Sequence, residues 1–372
     1  MKIGVPKETA VGERRVALVP DAVRTLAKRE GVDIVIETGA GAEAGHPDTQ
    51  YSEAGATVGS LADVLGADVV LSVAAPSAEE ISGLKSGQTL ISHLSPWTAA
   101  ESNNALAAAG VTAFAMEAIP RTTRAQAMDA LSSQATAAGY SATMIASRES
   151  GRFWSMLTTA AGTIRPAKVL VLGAGVAGLQ AIATAKRLGA IVTGFDIRRA
   201  AWEQIASLGG RPLELEFIPD AEGEGGYARP LTEEENEQVR VALAENAARQ
   251  DVIITTAAIP GRAAPILITA DAVANMAPGS VIVDLAAETG GNCELTKAGE
   301  IVEVNGVKIV GPTNLASDLP GHASQLYAKN LENLLGLMIT DEGELELNFE
   351  DDIIDAACIT HEGQVRGERT AK

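Results

Sequence analysis

Short aliphatic runs alternate along the chain with longer segments of mixed polarity, and this alternation predicts an α/β protein. In the first third of the chain the aliphatic runs predict strands at 3–5, 33–37, 69–74, 89–93 and 112–116. Between these runs, the spacing of apolar residues predicts helices at 21–30, 61–65 and 99–109. Strand–helix–strand order at this spacing is typical of a parallel sheet with crossover helices.

A second alternation follows a long helix predicted at 130–147. Its strands are predicted at 169–172, 191–195, 252–255, 281–285 and 308–310. The first of them is wholly apolar, which is typical of a central parallel strand buried on both faces. A last helix, predicted over 323–338, would return the chain to the first domain.

The pattern therefore predicts two Rossmann-like parallel-sheet domains, separated by a cleft and linked by long helices. We expect residues 1–130 together with 320–345 to form one domain and residues 131–319 the other. From Asp341 onwards the chain holds ten acidic and three basic residues. This composition favours a solvated acidic tail over 346–372 rather than a specific binding element.

The clearest motif lies between the first strand and the first helix of the second domain. Its residues are Gly173, Ala174, Gly175, Val176 and, after one more alanine, Gly178. In this setting a G-x-G-x-x-G sequence indicates dinucleotide binding, because the glycines permit a tight turn, close approach of a pyrophosphate and tight helix–strand packing. A glycine-rich packing turn is the alternative.

An acidic residue, Asp196, ends the next strand, where a carboxylate would accept hydrogen bonds from an adenosine ribose. We group Ile197 and Arg198, which follow it, with the cofactor-binding residues. A carboxylate repels a 2′-phosphate and so favours NAD, whereas Arg198 and Arg199 leave NADP open.

Two further loops leave the carboxyl ends of predicted strands, where ligands bind in open α/β sheets. The first is 255–262 and the second 284–292. Ordinary turns are the alternative for each. The cofactor-binding residues that we expect in them are Thr256, Ala257, Gly261, Glu288 and Asn292.

A polar segment lies at the predicted junction of the two domains. It contains Arg121, Gln126, Asp129 and Ser132. The last three are spaced by three residues, so a helical turn would place them on one face. Their amide, carboxylate and hydroxyl groups suit a nicotinamide carboxamide, and a capped, solvated helix start is the alternative.

Composition excludes several classes of function. The chain has 372 residues and a net charge of −19, which argues against binding to nucleic acid or to anionic membrane surfaces. Two cysteines and four scattered histidines give neither a disulfide framework nor a metal site. We find no signal peptide and no membrane span, and expect a cytoplasmic protein. One stretch, 211–230, lacks periodicity and is expected to be functional or disordered.

Taken together, these motifs resemble the NAD(H)-binding components of proton-translocating nicotinamide nucleotide transhydrogenases, with alanine dehydrogenases as close relatives. The segments that carry the resemblance are GVPKET, GERRVAL, RTTRAQAMDALSSQA, VLVLGAGVAGLQ, GGYA, DVIITTAAIPGRAAP and DLAAETGGNCE.

The resemblance implies roles for several residues. Arg121, Gln126, Asp129 and Ser132 match the family's nicotinamide-binding loop, Asp196 matches its adenosine-ribose residue, and Tyr227 lies in its mobile loop. It implies bound NAD(H), and NADP(H) on a partner component. It also implies membrane-spanning partner subunits, a homodimer, and a location peripheral to the inner (cytoplasmic) membrane through the complex. Hydride would pass directly between the two nicotinamides.

Two alternatives remain. Arg15 and His93 match substrate-site positions of alanine dehydrogenases, and Glu288 stands where that family has an aspartate. However, Ala74 stands where that family carries its substrate-binding lysine. A dinucleotide-binding regulator without redox turnover is the second alternative.

Overall fold

The computed structural model describes residues 1–215, 229, 231–258 and 261–366. The chain divides into two compact units. Unit 1 consists of Met1–Gln134 and Ala316–Lys372, and unit 2 of Ala135–Leu315. Each unit contains a large, mainly parallel sheet, which confirms the α/β class and the presence of two domains.

Every strand predicted from the sequence has a counterpart, and several short strands were not predicted. The described strands are β1 (Lys2–Val5), β2 (Asp33–Glu37), β3 (Thr57–Gly59), β4 (Val69–Leu71), β5 (Thr89–Ser92), β6 (Thr112–Ala115), β7 (Leu157–Thr159), β8 (Gly162–Ile164), β9 (Lys168–Leu172), β10 (Ile191–Phe195), β11 (Arg211–Pro212), β12 (Val252–Thr255), β13 (Val281–Asp284), β14 (Ile301–Val304), β15 (Val307–Val310), β16 (Cys358–His361) and β17 (Gln364–Val365).

The α-helices connect these strands and cover the sheets. They are α1 (Pro20–Leu26), α2 (Asp48–Glu53), α3 (Leu61–Leu65), α4 (Ala78–Gly83), α5 (Ala100–Ala108), α6 (Ala130–Glu149), α7 (Val176–Arg187), α8 (Ala200–Ser207), α9 (Glu233–Ala247), α10 (Ala270–Ala274), α11 (Pro320–Leu335) and α12 (Asp352–Ala357). No helix of the described residues is both long enough and apolar enough to cross a bilayer.

The sheet of unit 1 has the strand order β17-β16-β6-β5-β4-β1-β2-β3. Strands β1 to β6 pair in parallel, whereas β16 joins the edge of β6 in antiparallel orientation. Helix α11 places Tyr327, Leu331 and Leu334 in the core beside Ile3 and Leu71. Burial of this apolar face stabilises the return of the chain to unit 1.

The expectation of a solvated acidic tail over 346–372 is wrong for the portion that the structure describes. Residues 352–365 form α12, β16 and β17, and the side chains of Ile353, Ile354, Cys358 and Ile359 are fully buried. The expectation was based on the overall acidic composition of the segment, which does not reveal these four apolar residues. Asp351 caps α12 by accepting hydrogen bonds from the N–H groups of Ile353 and Ile354, as aspartate commonly does at a helix start.

The sheet of unit 2 has the order β11-β10-β9-β12-β13-β15-β14. The wholly apolar run 169–172 lies in β9, between β10 and β12, with which it pairs in parallel. Its four side chains are fully buried, so the prediction of a central strand is confirmed. The chain passes from β9 to β10 on one side and continues with β12 on the other side, so the strand order reverses at β9. The turn after β9 therefore lies at the carboxyl edge of the sheet at a topological switch point, where α/β sheets bind ligands.

Candidate functional site

The turn between β9 and α7 has the geometry that its glycines predict. Gly173 has a φ of +93°, a conformation that side chains rarely adopt, and a Cβ there would lie 2.7 Å from Thr256 Oγ1. A Cβ on Gly178 would overlap the carbonyl oxygen of Gly173. Both positions therefore exclude larger residues for reasons of backbone packing.

Gly175 differs from the other two glycines, because a Cβ at this position would meet no atom within 4 Å in the described part of the chain. It is the N-cap of α7, and no side chain of the described residues caps the helix there. Among the described residues, the space beside Gly175 at the positive end of the helix dipole is therefore open. This arrangement fits the pyrophosphate of a dinucleotide.

The carboxylate of Asp196 lies beside this turn and is almost fully buried. Its Oδ2 accepts a hydrogen bond from the N–H of Ala174 at 2.8 Å. Its Oδ1 accepts from the N–H and Nε of Arg198, both at 2.9 Å, while Nη2 of Arg198 donates to Oδ2 at 2.9 Å. The guanidinium of Arg198 therefore partly neutralises the carboxylate that we expect to meet the adenosine ribose.

The loop after β12 is fastened to the same turn. Thr256 Oγ1 donates to the carbonyl of Gly173 at 3.1 Å, and the backbone N–H of Thr256 donates to that of Leu172 at 2.7 Å. Ala257 follows, and Gly261 continues the loop with a φ of +72°. Two predicted cofactor-binding residues, Thr256 and Ala257, are thus held directly against the glycine turn.

Asn292 braces this loop with its side chain. Its Nδ2 donates to the carbonyls of Ala257 and Pro265, both at 2.8 Å, and its Oδ1 accepts from the N–H of Ala257 at 3.0 Å. Asn292 is fully buried and its amide makes these three bonds, so in this structure its side chain holds the loop in place. Glu288, by contrast, is exposed, and its carboxylate accepts from the N–H of Asn314 at 3.4 Å.

Asp284 organises the loop after β13, a role that was not predicted from the sequence. The fully buried carboxylate accepts hydrogen bonds from two hydroxyls and three backbone N–H groups. These donors belong to Thr255, Ala286, Asn292, Cys293 and Thr296, at 2.6–3.0 Å. The signal in the sequence was an acidic residue directly after three apolar residues of a buried strand. Such a carboxylate is itself buried, and a buried carboxylate requires several hydrogen-bond donors.

The segment 121–129 in unit 1 departs from its prediction. Gln126 lies in a short 3-10 turn, Gln126–Met128, whereas Asp129 leaves that turn with a ψ of 89°. The carboxylate of Asp129 then accepts from the N–H of Ser132 at 2.8 Å and from its hydroxyl at 2.6 Å. The expectation that Gln126, Asp129 and Ser132 share one helical face is therefore wrong. Asp129 instead caps the start of α6, a position that aspartate favours.

Gln126 and Arg121 are exposed, whereas their neighbour Ala125 is buried. Tyr227 and most of the aperiodic stretch 211–230 lie outside the described residues. Asp129, directly before α6, is thus both a structural cap and one of the residues that we assigned to nicotinamide.

The two residues that we matched to the substrate site of alanine dehydrogenases, Arg15 and His93, lie in unit 1. Arg15 donates from Nε and Nη2 to the carboxylate of Glu13 at 2.7 and 2.6 Å, and from Nη1 to Gln134 at 2.8 Å. His93 stacks on Tyr327 and lies 3.7 Å from Glu117. Burial by itself would raise the pKa of Glu117, but the hydrogen bond and charge of His93, together with backbone hydrogen bonds such as that from Ser95, outweigh burial and lower it.

Glu8 lies next to the place of the absent lysine. Its carboxylate accepts hydrogen bonds from the N–H groups of Val73 and Ala74 at 2.6 and 3.2 Å. Burial raises the pKa of Glu8 to about 7 in spite of these two bonds. Within the described residues no cluster of His, Cys, Asp or Glu could hold a metal ion.

Residues 4–138 match the family described as "Alanine dehydrogenase/PNT, N-terminal domain", and residues 142–368 match the corresponding C-terminal domain. The chain belongs to the alanine dehydrogenase/PNT family. It is 45% identical over 366 residues to NAD(P) transhydrogenase subunit alpha of Haemophilus influenzae, covering 98% of this chain and 71% of that protein.

Within the alanine dehydrogenase/PNT family, the transhydrogenases compared with this chain are more similar to it than the alanine dehydrogenases are. The transhydrogenase structure from Sinorhizobium meliloti superposes with a TM-score of 0.90 at 47% identity, covering 98% of this chain and all of that one. The alanine dehydrogenase of Mycolicibacterium smegmatis is 28% identical over 381 residues, covering all of this chain and 96% of that protein. The resemblance inferred from the motifs is thereby confirmed.

Proposed function

We propose that this chain is the NAD(H)-binding subunit of a proton-translocating NAD(P) transhydrogenase. The observation that carries the proposal is the open helix N-terminus at Gly175, placed beside the carboxylate of Asp196. The reaction class comes from the transhydrogenase relatives. NADP(H) would be held by a partner component, and membrane-spanning subunits would carry out the coupling to protons.

In this proposal the chain binds and orients NADH but donates no proton. The first turn of α7 binds the pyrophosphate, Asp196 accepts the ribose hydroxyls, and the loop at Thr256 and Ala257 lines the path towards the nicotinamide. The bound cofactor supplies a hydride at its nicotinamide C4. Arg121, Gln126, Asp129 and Ser132 fix the pose of the ring and keep water away, which is the protein's main contribution to such a transfer.

The deciding experiment follows the hydride itself. NADH deuterated at both C4 positions is mixed with this chain, an NADP(H)-binding transhydrogenase component and NADP⁺. We expect deuterium to appear in NADPH without exchange with water. Loss of deuterium to solvent, or binding of NADH without transfer, would favour a different enzyme or a regulator.

A second measurement separates this activity from amino-acid chemistry. Arg15 and His93 are retained, but the guanidinium of Arg15 is already bound by Glu13 and Gln134. A substrate carboxylate would have to share this guanidinium with Glu13 and Gln134, without help from a lysine at Ala74. We therefore expect no NADH to form from L-alanine and NAD⁺.

The segment 121–129 is tested by Gln126→Ala. Gln126 is exposed, so its removal leaves the fold intact, whereas Asp129→Ala also removes a helix cap that is worth about 1 kcal/mol. We expect Gln126→Ala to slow hydride transfer more than it weakens NADH binding, because the adenosine half of the cofactor remains anchored.

The assembly and location also belong to the proposal. We propose a homodimer, located in the cytoplasm and peripheral to the inner membrane through its complex. The exposed hairpin of β7 and β8 supports the dimer, because an isolated two-stranded sheet is marginal by itself.

A further inference from the structure

The 3-10 turn Gln126–Met128 is held from outside by α11. The carbonyl of Ala127 accepts hydrogen bonds from Nδ2 of Asn330 at 2.9 Å and from Nδ2 of Asn333 at 3.2 Å. Asn330 is only 6% exposed. Two carboxamides on one carbonyl restrict both the position and the direction of this peptide unit.

The other half of the Asn330 amide is also engaged. Its Oδ1 accepts from the hydroxyl of Ser133 at 2.7 Å, and Ser133 in turn accepts from Nε2 of Gln134 at 3.1 Å. Gln134 is bound to Arg15 and to the carbonyl of Ala323. Because the donor and the acceptor of Asn330 face different partners, its amide plane is fixed.

The same turn is fastened on its other sides. Arg124 forms ion pairs with Asp351, at 2.7 Å, and with Asp352, and its hydrogen bonds lower the pKa of Asp351 to about 2. Ala125 and Met128 are buried in the core of unit 1. Gln126 is thus an exposed side chain on a backbone that is anchored before and after it.

We propose that Asn330 is a positioning residue for hydride transfer, which holds the turn so that Gln126 is presented to the nicotinamide in one fixed pose. This inference rests on the proposed function. A turn that is free to move would still allow NADH to bind through the glycine motif, but would lower the fraction of complexes with reacting atoms in line. The effect belongs to the transfer step and not to affinity.

The test is Asn330→Asp, which preserves shape and the acceptor for Ser133 but replaces the N–H donors by a carboxylate oxygen that repels the carbonyl of Ala127. We expect hydride transfer at saturating NADH to slow by roughly 10- to 100-fold, with a much smaller change in the Kd of NADH. Asn246→Asp is the matched control, since among the described residues its amide donates to a carbonyl of its own helix alone, that of Ala242 at 2.9 Å. This control should leave rate and Kd unchanged.

A second readout does not depend on turnover. The amides of Ala125, Met128 and Asp129 are hydrogen-bonded within the turn and its approach, and in the free protein their hydrogen exchange should become faster in Asn330→Asp. If this variant does not fold, two milder variants take its place. Asn333→Ala removes the second donor to the carbonyl of Ala127, and Ser133→Ala removes the donor to Asn330 Oδ1. Both should slow hydride transfer more than they weaken NADH binding.

The proposal would be overturned if these variants transferred hydride and exchanged amide hydrogens at the rates of the parent. It would also be overturned if the transfer rate and the affinity for NADH fell by the same factor. The proposed function fails separately if the unmutated chain transfers no hydride. In that case the exchange rates would still decide whether Asn330 holds the turn.

Discussion

A single carboxylate, that of Asp196, performs two tasks in the free protein. It holds the N–H of Ala174 in the glycine turn and binds the guanidinium of Arg198. Bonds from ribose hydroxyls to a charged carboxylate are together worth about 1.5–3 kcal/mol, so Asp196→Ala should weaken NADH by roughly 10- to 100-fold. Titration of NADH fluorescence measures this change. Equal binding of NADH and NADPH by the unmutated protein would contradict the assignment.

Arg198 provides the complementary prediction at the residue scale. Because its guanidinium partly neutralises Asp196, the carboxylate repels a 2′-phosphate less than it would alone. We expect Arg198→Ala to raise the ratio of NADPH Kd to NADH Kd several-fold. A fall in this ratio would mean that Arg198 normally hinders the 2′-phosphate rather than assisting it.

Glu8 gives the chain a pH-dependent contribution to stability. Its pKa is about 7 in the folded protein and 4.5 as its ordinary value, so the folded state binds more protons between these values. The contribution of Glu8 to the free energy of unfolding therefore falls as the pH rises from about 4.5 to about 7. Glu8→Gln should remove this fall, so the free energy of unfolding of the variant should increase relative to that of the parent as the pH rises. Urea unfolding at pH 4, 6 and 8 measures the difference, and a constant offset would show that Glu8 does not titrate in this range.

At the scale of elements, helix α6 lies unusually close to the start of α7. A Cβ on Gly139 would overlap the carbonyl oxygen of Ala177, so Gly139→Ala has to displace the first turn of the dinucleotide helix. We expect a loss of about 1–3 kcal/mol in the free energy of unfolding, together with weaker NADH binding.

Gly175→Ala is the matched comparison, since its Cβ would meet no atom within 4 Å among the residues that the structure describes. We expect its Tm to equal that of the parent, while NADH binding falls at least as far as in Gly139→Ala. Thermal unfolding with and without NADH separates the two effects. If Gly175→Ala bound NADH normally, the pyrophosphate could not lie at this turn.

Helices and strands with a clear spacing of apolar residues, or with glycines at their ends, were predictable from the sequence, and others were not. The apolar run of β9 and the glycines after it determine both a central strand and its turn. By contrast, β14 is an edge strand with alternately exposed side chains, and β16 follows a strongly acidic stretch, so neither has a pattern that stands out from its surroundings.

The same contrast applies to the candidate site. Glycines and Asp196 were identified because their chemistry is local in sequence. The bonds of Asn330 join it to residues 197 and 203 positions away in the chain, so residue type and spacing alone did not indicate them. The sequence marks Asp284 as a buried carboxylate, but it does not show which five groups donate to it. For Asp129, the sequence left two interpretations open: a nicotinamide-binding residue or a helix cap. The structure shows that its carboxylate caps the start of α6.

At the scale of the whole molecule, the hairpin of β7 and β8 predicts the state of assembly. Near it, Phe153, Met156 and Ile164 are 56%, 65% and 46% exposed, and neighbouring apolar residues at such exposure mark contact surfaces. We expect sedimentation to show a dimer and Ile164→Asp to shift it towards monomer. Val241→Asp, at a residue 55% exposed on α9, is the control. A parent that sediments as a monomer at all concentrations would contradict the prediction.

The position of β16 has a consequence for the order in which the chain folds during its synthesis. The N–H of Ala113 on β6 donates to Thr360 Oγ1, 247 residues further on, so the sheet of unit 1 stays open at this edge until Thr360 has left the ribosome. Unit 2, by contrast, is continuous in sequence from Ala135 to Leu315. Since domains generally fold as units while they emerge, unit 2 can complete its core first. The nascent strand β6 meanwhile exposes unpaired backbone groups, which makes that stage of translation the one at which the chain is most open to aggregation or to chaperone binding.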